Sequence, residues 1–149
     1  MSRRSPAFRH AATWFPGAVV LAVLASPPLA AGEVPVEEAA KYLLILATSA
    51  GSEGRVACKE LDMVMQLKKQ AISVDAKARV AWAFTPEQTG FYAAEGKLVV
   101  CNRRKLLGAG GAIAFERING RLTIFVHQAN LSRSDAKLPE AFLRNAVKL

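Results

Sequence analysis

Histidine, cysteine and aromatic side chains are scarce: 149 residues hold 2 His, 2 Cys, 2 Trp and 2 Tyr, and aromatics make up 7% of the chain. So few imidazoles and thiols, none of them paired at short spacing, exclude a zinc-finger type of site. Sparse aromatics exclude the interleaving of basic and stacking side chains that grips single-stranded nucleic acid. No apolar run approaches the roughly 20 residues that span a bilayer. Acidic residues are missing altogether before Glu33. Apolar residues, by contrast, supply 52% of the chain, which excludes disorder. The length fits one domain able to bury a core without crosslinks. A balance of 20 Lys and Arg against 12 Asp and Glu, net +8, raises the question of a nucleic-acid partner.

The position of the charges answers it. Arg3, Arg4 and Arg9 precede an apolar run from Trp14 to Ala25, then Pro27-Pro28 and the small residues Leu29-Ala30-Ala31-Gly32. This is the layout of a cleaved secretory signal peptide over residues 1–31, with an uncleaved N-terminal anchor as the alternative. Without its three arginines the remainder, residues 32–149, is only about +5. Its basic residues are scattered apart from Lys68-Lys69 and Arg103-Arg104-Lys105, the pattern of a solvated surface. No nucleic-acid partner is expected.

The remainder alternates helices and strands. Val34 to Ala50 reads as a helix, with Pro35 in its first turn, Glu37 and Glu38 at the positive end of its dipole, and Gly51 as its stop. Tyr42 to Ala47 is apolar round most of that helix, as for a segment buried between layers or against a partner. Arg55 to Cys58 reads as a short strand, and Glu60 to Ala71 as a helix with Leu61, Val64, Met65 and Leu67 at helical spacing. Arg79 to Phe84 is a strand, Thr85-Pro86-Glu87-Gln88 a capped helix start, and Lys97 to Cys101 a further strand. Asn119-Gly120 between two alternating runs is a hairpin with a type I′ turn, setting Ile118 opposite Arg121 and Phe115 opposite Ile124. One face of that hairpin holds Ile113, Phe115, Leu122, Ile124 and Val126; the other, with Ala112, Ala114, Phe125 and His127, is mixed. After a polar loop, Pro139 to Val147 reads as a closing amphipathic helix. The fold class is therefore α/β: one domain with a mixed sheet flanked by helices, ending in a β-hairpin and a C-terminal helix.

Chemistry-bearing residues are few. Cys58 and Cys101 each end a strand, and export favours a bridge between them if those strands are neighbours. Such a bridge would stabilise by about 4 kcal/mol in the chain-entropy model. Two unpaired thiols and an intermolecular bridge are the alternatives. His127 is the only imidazole beyond the leader, on the mixed hairpin face. Neither a Cys–His nucleophile nor a metal site has local support, and Gly108-Ala109-Gly110-Gly111 leads into a strand where a phosphate loop would lead into a helix. No enzyme, cofactor or metal is expected. Phe125, His127, Phe142 and Leu143, with the first helix, are the candidate partner-binding residues.

Several segments together resemble the YfiR-like family of small periplasmic proteins. They are Gly96-Lys97-Leu98-Val99-Val100-Cys101, then Gly110-Gly111-Ala112-Ile113-Ala114-Phe115-Glu116, Asn119-Gly120-Arg121-Leu122, and the closing helix around Phe142-Leu143. The chain departs from that pattern at Ser49-Ala50-Gly51-Ser52, where the family often has Trp-Pro, and at His127, where Asn is common. The resemblance implies a non-enzymatic regulator, dimeric, that binds the periplasmic domain of an inner-membrane diguanylate cyclase and represses it. Cyclic-di-GMP and biofilm formation would fall with it, and disulfides would support stability. A periplasmic small-ligand-binding protein or envelope enzyme is the alternative.

Overall fold

The computed structural model describes residues 32–149; the expected leader, 1–31, lies outside the described residues. Helix α1, Val36–Ser49, begins after Pro35 and stops at Ala50, where Gly51 takes up a left-handed φ of 76°. Strand β1, Arg55–Ala57, leads through helix α2, Leu61–Lys69, to the two-residue strand β2, Ser73–Val74. Strand β3, Val80–Ala83, leads through helix α3, Pro86–Ala94, to strand β4, Leu98–Cys101. A 3-10 turn over Arg104–Ala109 joins β4 to the hairpin of β5, Ile113–Ile118, and β6, Arg121–Val126. Helix α4, Gln128–Ser134, helix α5, Glu140–Arg144, and strand β7, Val147–Lys148, follow.

The seven strands form one sheet in the order β2-β1-β3-β4-β5-β6-β7. All pairings are parallel except the β5–β6 hairpin, so the sheet is mixed, as the alternation of elements requires. Ile118 faces Arg121 and Phe115 faces Ile124, the register set by the turn, with Asn119 and Gly120 both at positive φ.

Alternation along the strands divides the interior in two. Val80, Trp82, Leu98, Val100, Ile113, Phe115 and Val126 point to one side, where Ala39, Leu43, Leu46 and Ala47 of α1 and Met63 and Leu67 of α2 cover them. Ala57, Ala81, Ala83, Val99, Cys101 and Ala114 point to the other, under Tyr92 of α3 and Leu106 and Leu107 of the 3-10 turn. Alanines leave little height on this second face, and α3 sits close. At Gly110 a Cβ would stand 2.7 Å from that of Ala93, and at Gly111 it would stand 2.5 Å from Cys101 Sγ.

Four expectations change. Residues 128–134, read as a polar loop, are helix α4, because the His127 side chain accepts from the Asn130 N–H and caps a run too polar to show periodicity. The closing helix is only Glu140–Arg144, and Val147–Lys148 joins β6 as a strand. On α2 the buried side chains are Met63 and Leu67, leaving Leu61 and Met65 at solvent. At α3, Thr85 accepts from the Gln88 N–H as expected, but Gln88 Oε1 accepts from the N–H of Phe84 and not from that of Thr85.

Candidate functional site

The two cysteines come out apart. Strand β3 lies between β1 and β4, so their axes are about 9–10 Å apart, beyond bridging reach. Cys58 also packs with the α1–α2 core and Cys101 with the α3 core. Both are free and buried, which corrects the expected bridge between them: Cys58 follows β1 and Cys101 ends β4, with β3 between. Burial pushes the Cys101 thiol up to about 12 against the contact of Thr89 Oγ1, 3.9 Å away. It pushes Cys58 up to about 11, and the Cys58 thiol donates to the Glu60 carbonyl at 3.6 Å. Neither thiol is prepared to act as a nucleophile at neutral pH. Glu60 itself is held above the usual carboxylate range by desolvation, while its Oε2 accepts from Trp82 Nε1 at 3.3 Å.

Of the expected partner-binding residues, Phe125 is 3% exposed, with the Arg104 guanidinium 4.9 Å from its ring centroid, and Phe142 is 9% exposed in the α1–α2 core. Leu143 packs against the same core, and His127 is half-buried and engaged as the α4 cap. These four are therefore structural first, and the docking role expected of Phe125 and Phe142 is corrected by their burial. The first helix keeps its candidacy. Ile45 is 46% exposed and Leu44 stands beside it, while Leu61, 70% exposed, and Met65 open the neighbouring helix to solvent. Helices α1 and α2 pack side by side, so all four belong to one helical layer. A shallow depression of about 580 Å³ along α1 runs from Pro35 past Glu38, Lys41 and Tyr42 to Ile45.

The opposite face carries a different arrangement. The end of α3, the Gly108–Gly110 stretch and α4 enclose a groove of about 460 Å³ that includes His127, Asn130 and Arg133. Sequence reasoning missed Asn130 and Arg133 because Gln128 to Ser134 holds a single large apolar residue, Leu131. The available signals were local: a histidine able to cap at position 127 and an Asp135 that closes the helix in a left-handed conformation. Among the described residues no three His, Cys, Asp or Glu side chains gather as a metal would need, and no helix is long and apolar enough to cross a membrane.

No protein-family model matches the chain, and no curated protein does. A crystal structure of a conserved domain protein from Vibrio cholerae O1 biovar eltor is similar to it, with a TM-score of 0.59 at 11% sequence identity. The match covers 76% of this chain and 60% of that one, so the chain spans under two thirds of its neighbour's length. At that identity the likeness is one of fold.

Proposed function

We propose that this chain is an exported regulator that docks, through the outer surface of α1 and α2, on the periplasmic domain of an inner-membrane signalling protein. The partner is a diguanylate cyclase, which docking represses, lowering cyclic-di-GMP and biofilm signalling; the regulator works as a homodimer in the periplasm. The observation that carries the docking is the set of four large apolar side chains, Leu44, Ile45, Leu61 and Met65, left at solvent on one helical layer. Covering such side chains is favourable by about 25 cal/mol per Å² of apolar surface. The class of partner comes from the sequence resemblance, whose Gly-Gly-x-Ile-x-Phe and Asn-Gly-Arg segments lead into and begin β5, make the hairpin turn and start β6.

Affinity capture of the tagged protein from envelope extract, with cyclic-di-GMP measured in parallel, tests the reading. A membrane cyclase is expected to be captured by the native chain and lost with the double substitution Ile45→Asp and Leu61→Asp. Deleting the gene is expected to raise cyclic-di-GMP. Unchanged cyclic-di-GMP after deletion, with no membrane protein captured, overturns it. Catalytic turnover abolished by His127→Ala would favour an envelope enzyme.

A further inference from the structure

The groove between α3 and α4 has the composition of a ligand site. A smaller depression continuous with it shares Asn130 and Arg133 and adds Lys97. Besides the Asn130 amide, the side chains of His127, Arg133 and Lys97 thus line the combined surface with nitrogen, and no carboxylate does. Arg133 makes none of the ion pairs among the described residues. Lys97 is committed, its Nζ donating to the Ala78 carbonyl at 2.6 Å.

Asn130 gives the site a fixed polar floor. The residue is only 9% exposed, and its Nδ2 donates to the carbonyls of Leu107 at 3.0 Å and Gly111 at 2.9 Å. Those two acceptors set the orientation of the amide, which leaves Oδ1 as its free end. Among the described residues Oδ1 has no hydrogen-bond partner, and it is not one of the two enclosed, unpartnered side-chain atoms, Arg55 Nε and Asn102 Oδ1. Asn130 lines the groove, and an acceptor satisfied only by water can exchange that water for a donor on a ligand. The histidine is set from the same helix. Its Nδ1 accepts from the Asn130 N–H at 3.2 Å, which places the proton of the neutral ring on Nε2 and makes that nitrogen a donor.

We propose that this groove binds a small oxyanion bearing an adjacent hydroxyl: Arg133 and His127 Nε2 hold the anionic group, and Asn130 Oδ1 accepts from the hydroxyl. Carboxylates and phosphate monoesters both present that chemistry, and a volume of about 460 Å³ falls within the size of small-molecule pockets. The guanidinium contributes a charge-assisted contact, the strongest of the three. None of the groove's lining residues is among the exposed side chains of α1 and α2 that carry the docking reading, so the two are tested separately.

Amide NMR titration of the purified protein tests the proposal with four probes: glycerol 3-phosphate, L-malate, inorganic phosphate and glycerol. Saturable shifts at the Asn130 side-chain amide and at Gly110 are expected with glycerol 3-phosphate or L-malate. The dissociation constant is expected at about 1 mM or below, with inorganic phosphate weaker and glycerol silent. Saturation by the first probe alone assigns a phosphate ligand, and by the second alone a carboxylate. Arg133→Ala, at an exposed position, is expected to weaken binding about tenfold. His127→Asn, which keeps a capping side chain, is expected to weaken it severalfold. Shifts that never saturate, or affinities unchanged in Arg133→Ala, overturn the proposal.

Discussion

At the scale of single residues, the two glycines that close the 3-10 turn and the two buried thiols decide the most. Gly110 combines a φ of 122° with an approach to Ala93 that leaves no room for a Cβ. Gly110→Ala is therefore expected to destabilise the protein by about 1–3 kcal/mol, read as a lowered midpoint in urea denaturation with an unchanged slope. The thiols set a pH dependence. Cys58 and Cys101 titrate near 9 when unfolded but only at about 11 and about 12 in the folded chain. Between those values the unfolded chain binds fewer protons than the folded one, so stability is full below pH 9 and falls as pH rises above it. Replacing both cysteines with alanine is expected to flatten that alkaline decline, and an identical decline in the variant would remove the thiols as its cause. Below pH 8 the native thiols are expected to react with a thiol reagent only after denaturant is added.

Among the elements, α3 shows the directness with which local chemistry writes structure. Thr85 accepts from the N–H of Gln88 at 3.1 Å, and Pro86 occupies the first helical position. Thr85→Ala is expected to cost about 1 kcal/mol, measured by thermal or chemical unfolding. Elements with such punctuation were legible in the sequence: α1 between Pro35 and Gly51, α3 from its capping threonine, and the hairpin from Asn119-Gly120, down to its register. Elements without it were not. Helix α4 rests on a histidine cap and on hydrogen bonds from Asn130 to carbonyls 19 and 23 residues away, which no local window contains. Strand β7 exists because β6 offers an edge, and two residues carry no period. The apolar spacing on α2 marked a helix correctly but not its inner face, since Leu61 and Met65 lie outside the arc that meets α1 and the sheet. The same limit governs the candidate sites. Exposure of Ile45 and burial of Phe125 are properties of the packed layers, and a residue list does not contain them.

For the whole molecule, two layers of helices enclose one sheet, with α1 and α2 on one side and α3 and the 3-10 turn on the other. Substitutions confined to the outer surface of α1 and α2 should thus separate docking from folding. Ile45→Asp with Leu61→Asp is expected to move the melting temperature little, each exposed site being worth within about 0.5 kcal/mol, while abolishing capture of the membrane partner. A collapse of the melting temperature would instead make those side chains part of the core. The strand order has one more consequence, and it concerns time. Strands β5 and β6 meet across a two-residue turn, whereas β1, β3 and β4 reach their parallel neighbours only through intervening helices. Non-local pairing of that kind is slow, while a hairpin closes within microseconds. Until Ile113–Ile118 docks, the outer edge of β4 lacks a neighbour, and for that interval Leu98–Cys101 is open to pairing with another chain.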